Sequence, residues 1–330
     1  MPEPTEALHA VAGRYAVAIT PAMSALIDPL SPDDPIARQF IPDVRELQTT
    51  PEERPDPIGD RTHEKVPGLV HRYPDRVLLK VTHTCPVYCR FCFRREVVGP
   101  TGEPAMTTAD LSRALAYVAA HPSIFEVILT GGDPLVLSPR RISALTAALA
   151  EIPHVAVLRW HSRVPVVDPG RLTPEAIAAL ISARQAVYLA IHANHPRELT
   201  PAARTVIAAL RRAGIILLSQ TVLLKGINDD APTLAELFRA FVALGIKPYY
   251  LHHPDLAPGT SHFRLSIEDG QRLMAELRGR ITGLAMPAYV LDIPGGHGKM
   301  ALTPSAWDRN SGTVTDPWGN VHPYPPRDDA

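Results

Sequence analysis

The stretch DRVLLKVTHTCPVYCRFCFRR, residues 75–95, joins an apolar run to a loop that contains Cys85, Cys89 and Cys92. The whole chain of 330 residues has three cysteines, so this one loop holds all of them. The apolar run is short and rich in Val and Leu, which is typical of a buried strand. The sequence therefore predicts a strand that presents three thiols together where it ends.

Downstream of this strand, short apolar runs alternate with helical patterns. The predicted strands are 77–83, 125–130, 155–161, 186–193, 215–223 and 247–253. The predicted helices lie near 107–120, 139–150, 173–183, 200–213, 231–244 and 266–279. This alternation predicts an α/β fold with a parallel sheet covered by helices, in either an open or a barrel form.

Polar side chains recur at the C-terminal ends of these strands. In chain order they are the cysteine loop, Gly131, Gly132 and Asp133, His161 and Arg163, His192, Gln220, and the segment 252–255. Both parallel architectures form their sites at that edge. We therefore expect these residues to belong to one site.

Composition narrows the class of protein. The formal net charge is -1, which predicts no nucleic acid partner and no acidic membrane surface. No apolar run approaches the roughly 20 residues that span a bilayer. The first residues, MPEPTEALHA, lack the basic and apolar regions of a secretion signal. Three clustered cysteines are also a poor disulfide framework, so we expect a cytoplasmic protein with reduced thiols.

Three thiolates on one short loop can converge on a metal centre. A structural zinc site takes four ligands, and His83 is a candidate for the fourth, but zinc sites generally pair two knuckles and this sequence has one. A 4Fe-4S cluster also takes four ligands, so three thiolates leave one iron open to bind another molecule. Three incidental buried thiols are the remaining alternative, which their exclusive clustering disfavours.

The cysteine spacing at the end of a first barrel strand resembles that of the radical S-adenosylmethionine (SAM) superfamily. There the open iron binds SAM, and electron transfer from the cluster cleaves SAM to a 5′-deoxyadenosyl radical. TGGDP, residues 130–134, resembles the second-strand motif whose backbone meets the amino group of SAM. The resemblance implies a partial (β/α)6 barrel.

A second stretch, YVLDIPGGHGKM at residues 289–300, places Lys299 after a glycine-rich loop and a short apolar strand. A phosphate-binding loop would need Ser or Thr after the lysine, and Met300 stands there. One alternative is an ordinary surface lysine. The other is a lysine that forms a Schiff base with pyridoxal phosphate (PLP).

Together the two stretches resemble the lysine 2,3-aminomutase family, whose members use both SAM and PLP. The resemblance covers most of the chain, through DPLSPDDPIARQFIP, HEKVPGLVHRYPDRVLL, IHANHPREL, QTVLLKGIND, PYYLHHPDL and DIPGGHGK. It implies conversion of L-lysine to β-lysine, with a 4Fe-4S cluster, SAM and PLP as cofactors and a flavodoxin- or ferredoxin-type electron donor. One branch of the family makes (R)-β-lysine for elongation factor P, which offers a second fate for the product.

The family implies a role for each matched residue. The cluster ligands are Cys85, Cys89 and Cys92. The residues implied at PLP are Lys299, which forms the Schiff base, Arg72 and Tyr73. The residues implied at SAM are Gly131, Gly132, Asp133, His192 and Gln220. The residues implied at the substrate are Arg94, for its carboxylate, and Asp255 and Asp292, for its side-chain ammonium.

The sequence predicts three parts: a polar, Pro-rich N-terminal helical or irregular arm at 1–65, the barrel at 66–285, and a C-terminal extension at 286–330 with the Lys299 loop and a tail. The chain lacks the extra cysteines that bind structural zinc in clostridial-type members, so we predict no zinc, and a homo-oligomer stays one alternative. His297 interrupts a run that is usually all glycine, and Phe91 replaces a histidine. The rival readings are an aminomutase for glutamate or arginine, and a non-catalytic iron–sulfur or zinc-binding regulatory protein.

Overall fold

The computed structural model describes residues 4–99, 102, 106–303 and 305–325. Residues 1–3 of the predicted arm and 326–330 of the predicted tail lie outside the described residues. The α-helices are α1 Pro4–Arg14, α2 Pro21–Ser24, α3 Ala37–Phe40, α4 Thr108–Ala119, α5 Pro139–Ala150, α6 Val164–Val167, α7 Pro174–Leu180, α8 Pro201–Arg212, α9 Ala231–Ala243 and α10 Ile267–Leu277. None of these described helices is long and apolar enough to span a membrane.

The strands of the main sheet follow one another in chain order. They are β1 Glu64–Val66, β2 Leu69–Tyr73, β3 Arg76–Thr82, β4 Glu126–Gly131, β5 Val157–Ser162, β6 Ala186–His192, β7 Ile216–Val222, β8 Lys247–His252, β9 Ala288–Ile293 and β10 Gly298–Ala301. Strands β3 to β9 are parallel, each paired with the next. The pairs β1–β2, β2–β3 and β9–β10 are antiparallel.

The predicted alternation of strands and helices is confirmed. The six predicted strands correspond to β3 through β8, with ends that differ by at most two residues. The sheet continues into β9, a seventh parallel strand. The sequence indicated this apolar strand before Lys299 without placing it in the sheet, and the structure pairs it with β8.

The sheet curves until strands from its two ends touch. The backbone N–H of Lys299 on β10 donates to the Tyr73 hydroxyl on β2 over 2.7 Å. Arg72 Nη1 lies 3.8 Å from Asp292 Oδ1 on β9. Right-handed crossovers between consecutive parallel strands place their helices on one side of the sheet. The result is a partial barrel with helices outside and a site-forming inner face.

Alternate residues of each strand divide between these two faces. In β5, Leu158 and Trp160 are fully buried in the core under the helices, whereas Arg159 and His161 line an inner cavity. Successive side chains of a strand point to opposite faces of the sheet. The apolar side chains on the outer face of each strand therefore pack against the helices. The side chains on the inner face can be polar and can form the site.

The N-terminal segment packs against the cysteine loop. Glu46 is 0% exposed and accepts hydrogen bonds from Arg90 Nε at 2.9 Å and from Arg95 Nη2. A separate apolar cluster joins the arm to the cysteine loop and to α6, and it contains Met23, Ile36, Phe40, Val87 and Val167. The arm is thus a fixed part of the cluster region, while the division of the chain at residues 65 and 285 stays a prediction.

The C-terminal tail forms a small antiparallel sheet of its own. Its strands are β11 Trp307–Asp308, β12 Thr313–Thr315 and β13 Val321–Pro323. Trp318, in the turn between β12 and β13, is 76% exposed. This sheet does not contribute residues to the cavity described below.

Candidate active site

The inner face of the barrel surrounds a cavity of about 750 Å³. Every residue with a predicted site role lines it: Arg72, Tyr73, Cys85, Cys89, Cys92, Arg94, Gly131, Gly132, Asp133, His192, Gln220, Asp255, Asp292 and Lys299. The volume is in the range of sites for small molecules and cofactors. The fold therefore brings together residues that lie up to 227 positions apart in the chain.

The three cysteines form the wall at one end of this cavity. Burial, and then the nearby Asp133, raise the pKa of the Cys85 thiol well above its usual value. Burial likewise raises the pKa of Cys92 to about 11. A bound metal reverses this effect because it deprotonates a coordinating thiol outright. Three half-buried thiols on one loop, whose thiolates would repel one another, fit a positively charged metal centre.

Within the described residues, no three His, Cys, Asp or Glu side chains converge closely enough to hold a single metal ion.

Arg163 is a site residue to which the sequence gave no role. Its Nη1 donates to Cys89 Sγ over 2.7 Å. Its Nη2 is fixed by Glu198 at 2.7 Å and by Gln39 at 2.6 Å. A buried guanidinium therefore contacts a predicted cluster ligand and stabilises negative charge on its sulfur.

The Gly131–Gly132–Asp133 turn packs directly on the cysteine loop. Gly131 has a φ of +114°, and a Cβ on Gly132 would come within 2.4 Å of the Thr84 carbonyl oxygen, so the turn requires glycine. The Asp133 carboxylate accepts hydrogen bonds from Ser162 Oγ and from the Arg163 N–H, both at 2.7 Å. Asp133 thus ties the turn after β4 to the turn after β5, and a direct role toward SAM stays a prediction.

His192 and Gln220 are direct partners across the β6–β7 pair. Burial, and then the Arg163 charge, lower the pKa of His192 to about 3, so its imidazole is neutral. Phe91 of the cysteine loop packs edge-on against His192 with ring centroids 5.8 Å apart. These side chains form an uncharged wall beside the cysteine loop.

Lys299 lies at the other end of the cavity. It pairs with Asp292 across the β9–β10 hairpin, and its ammonium donates to the Asp292 carboxylate. The Lys299 Nζ is also 3.3 Å from His252 Nδ1 and 5.3 Å from the centroid of the Tyr250 ring. Burial and the Lys299 charge hold the pKa of His252 well below its usual value. The lysine amine is therefore held beside one carboxylate and one neutral imidazole.

Two further carboxylates shape this end. Burial, and then the Asp292 charge, raise the pKa of Asp255 to about 7. Asp60, which the sequence did not single out, is buried and accepts hydrogen bonds from Arg94. Asp255 and Asp292 are thus near enough to repel each other, and Asp60 holds the Arg94 guanidinium at the cavity wall.

These residues also fit PLP. The Lys299 amine is available for a Schiff base, and the Tyr73 hydroxyl is bonded to the Lys299 backbone N–H. Arg72 lies at the same end of the cavity, 3.8 Å from Asp292. A guanidinium is suited to a phosphate group because it can donate two parallel hydrogen bonds.

Comparison with known proteins gives a consistent result. Residues 79–238 match the model of the Radical SAM superfamily. The chain is 40% identical over 289 residues to L-lysine 2,3-aminomutase of Clostridium subterminale, an alignment that covers 88% of this chain and 69% of the relative. It is 39% identical over 302 residues to L-lysine 2,3-aminomutase of Fusobacterium nucleatum, covering 92% and 71%. It is also 35% identical to glutamate 2,3-aminomutase of Clostridioides difficile, covering 91% and 70%.

The protein is thus a radical SAM aminomutase, an isomerase whose cofactors are a 4Fe-4S cluster, SAM and PLP. The size of the cavity agrees with a substrate that is a small molecule, a free amino acid. The chain belongs to the lysine 2,3-aminomutase family of radical SAM enzymes.

Proposed function

We propose that this enzyme converts L-lysine to β-lysine by moving the amino group from carbon 2 to carbon 3. One observation carries the choice of substrate: Asp255 and Asp292 line the same cavity as Lys299 and Arg94. A guanidinium can receive the α-carboxylate, and two carboxylates can receive a second ammonium group. Lysine is the common amino acid that has both.

The roles proposed for the residues around the cofactors are those that the family resemblance implies, and the shared cavity that these residues line supports them. When bound, the cluster and SAM supply a radical that removes an unactivated hydrogen, and PLP holds the migrating nitrogen. Cys85, Cys89 and Cys92 hold the cluster. Gly131, Gly132, Asp133, His192 and Gln220 border SAM, and Arg72, Tyr73 and Lys299 hold PLP. The enclosing barrel also keeps water from the reacting atoms.

The two aspartates select the charge of the substrate side chain. In the empty site the carboxylate of Asp255 is destabilised by burial and by Asp292, which raises its pKa to about 7. An ammonium between them removes that repulsion and gains charge-assisted hydrogen bonds of roughly 1.5–3 kcal/mol each. Glutamate would bring a third carboxylate to the same place, a like-charge contact that costs several kcal/mol. We therefore expect the enzyme to reject glutamate.

The cellular setting is part of the same proposal. The electron that reduces the cluster comes from a flavodoxin- or ferredoxin-type protein, and the enzyme works in the cytoplasm, where its thiols stay reduced. A homo-oligomer is one candidate assembly. The product has two candidate fates, release as free β-lysine and attachment to elongation factor P.

A substrate panel tests the proposal. Protein reconstituted without oxygen is incubated with SAM, PLP, a reductant and one of L-lysine, L-glutamate or L-arginine, and the amino acids are separated and quantified. We expect a β-isomer from lysine and turnover of glutamate at least about 100-fold slower, which corresponds to ~2.7 kcal/mol. Comparable rates with lysine and glutamate would contradict the role given to Asp255 and Asp292.

A further inference from the structure

Asp60, in the N-terminal arm, bridges two guanidiniums of the site. Its side chain is buried, and the residue is 6% exposed. Asp60 Oδ2 accepts hydrogen bonds from Arg94 Nε at 3.1 Å and from Arg94 Nη2 at 2.8 Å. Asp60 Oδ1 lies 3.4 Å from Arg72 Nη2. One carboxylate from the arm therefore holds side chains from the cysteine loop and from β2.

These bonds use one particular edge of Arg94. A guanidinium can bind a carboxylate through its Nε–Nη2 edge or through its Nη1–Nη2 edge. Asp60 occupies the first of these edges. Arg94 Nη1 lies 3.4 Å from Thr130 Oγ1, and both Arg94 and Thr130 line the cavity. The second edge is therefore the one left for a ligand.

The charges in this group keep Asp60 ionised. Burial raises the pKa of Asp60, but the Arg94 guanidinium, together with Lys80 and Arg72, outweighs burial and holds that pKa below its usual value. Asp60 is thus a carboxylate that faces Arg72 and Arg94. Asp292 also lies 3.8 Å from Arg72, so two carboxylates offset the two guanidiniums, and the attraction for a ligand carboxylate comes from the N–H groups on the second edge of Arg94.

The backbone around Asp60 is fixed as well. The Asp60 N–H donates to Asp56 Oδ1 over 2.9 Å. Gly59 has a φ of +69°, and a Cβ there would come within 2.5 Å of the Gly296 nitrogen. The arm thus packs closely against the glycine-rich loop that precedes Lys299. Asp60 cannot shift far without displacing that loop.

We propose that Asp60 is a positioning residue, which holds the Nε–Nη2 edge of Arg94 so that the free edge meets the α-carboxylate of the substrate. The inference rests on the proposed function, because it takes the ligand to be an amino acid. It gives the N-terminal arm a part in substrate recognition. A merely structural Asp60 would affect all ligands of the cavity alike.

The test compares L-lysine with cadaverine, which is lysine without its carboxylate. Binding is followed by the change in absorption of protein-bound PLP, with SAM left out so that no turnover occurs. For Asp60→Asn we expect the lysine Kd to rise roughly tenfold, or ~1.4 kcal/mol, and the cadaverine Kd to stay within about twofold. Asp33→Asn is the matched control, because it removes an arm ion pair with Arg38 at a side chain that is 84% exposed, and it should change neither Kd.

Two further variants complete the design. Asp60→Glu keeps the charge but shifts the carboxylate, so we expect a smaller loss of lysine affinity, again without a matching loss of cadaverine affinity. If Asp60→Asn does not fold, Asp60→Glu takes its place in the test. In an Arg94→Ala background, Asp60→Asn should cause no additional loss of lysine affinity. Equal weakening of both ligands, or an unchanged lysine Kd, would overturn the inference. Wild-type protein that binds cadaverine but not lysine would instead overturn the proposed function and with it this inference.

Discussion

The two ends of the cavity are built in different ways. The cluster end comes from one loop, in which three thiols lie within eight positions and Glu46 of the arm holds the arginines around them. The other end, where we propose that PLP binds, gathers Arg72, Asp255, Asp292 and Lys299 from segments that meet because the sheet curves. Because the residues of the cysteine-loop end come mostly from one segment, a substitution there can remove the cluster and leave the Lys299 end of the cavity intact. Variants should therefore separate the two ends experimentally.

The largest expected effect is complete loss at one end with retention at the other. Lys299→Ala should remove covalently bound PLP and lower turnover more than roughly 1,000-fold, or ~4 kcal/mol, while iron content stays normal. Cys89→Ala should show the reverse pattern, with iron and SAM cleavage lost and PLP retained. Iron assay, SAM cleavage and borohydride trapping with peptide mapping measure these properties.

The control for this pair is Lys225→Ala, since Lys225 is an exposed lysine outside the cavity. It should keep iron, PLP and turnover. A trapped label on Lys225 or Lys247 would remove Lys299 from its proposed role. If an alanine variant of any one of the three cysteines kept its full iron content, the assignment of the three cysteines as cluster ligands would be wrong.

A smaller effect is expected from the two aspartates. Asp255→Asn should raise the lysine KM roughly 10- to 100-fold, because one charge-assisted hydrogen bond is lost, and PLP content should not change. Asp292→Asn should weaken lysine and also alter PLP capture, because Asp292 holds the Lys299 ammonium in the free enzyme. Steady-state kinetics and PLP titration separate these outcomes. Unchanged lysine kinetics in both variants would break the assignment.

The pH dependence of lysine binding sharpens the same point. Burial and the Asp292 charge raise the pKa of Asp255 to about 7. Asp255 must lose its proton before it can form an ion pair with the substrate ammonium group. Below this pKa the group is neutral, so lysine affinity should fall as pH drops from 8 to 6, by up to about tenfold. The charges of Lys299, Arg94 and Asp60 also act on Asp255. The slope should vanish in Asp255→Asn; an equal slope there would assign the titration to another group.

The smallest effect is expected at the glycine-rich loop. His297 is exposed and does not line the cavity, although the family usually has glycine there. His297→Gly should change the lysine KM less than about twofold and lower the free energy of unfolding by about 0.5–1 kcal/mol, because glycine makes the unfolded chain more flexible. Thermal unfolding and kinetics measure the two quantities. A large rise in KM would show that His297 does reach the site.

Much of the fold could be predicted because its signals are local. Thr107, Thr173 and Thr200 cap α4, α7 and α8, and a threonine shortly before an acidic residue or a proline is a helix-start signal that the sequence itself carries. The strands are short apolar runs, and the cysteine loop is visible in the sequence by its spacing alone. Lys299 and the aspartates were identified through the family resemblance, since nothing in their local sequence distinguishes them from turn or surface residues.

The partners of those residues could not be predicted in this way. Asp60 and Arg94 are 34 residues apart in irregular segments, so no periodic pattern relates them. Arg163 and Cys89 are 74 residues apart and meet because β3, β4 and β5 are neighbours. Such pairs depend on how the barrel closes and how the arm packs over it. They are properties of the tertiary structure.

The most direct test of the central claim follows the nitrogen itself. L-lysine labelled with ¹⁵N at its α-amino group is incubated without oxygen with the reconstituted enzyme, SAM, PLP and a reductant, and the products are analysed by NMR. The account predicts β-lysine that carries the label on the nitrogen bonded to carbon 3, with none lost to solvent ammonia. Label that stays on carbon 2, or that appears as free ammonia, would contradict it.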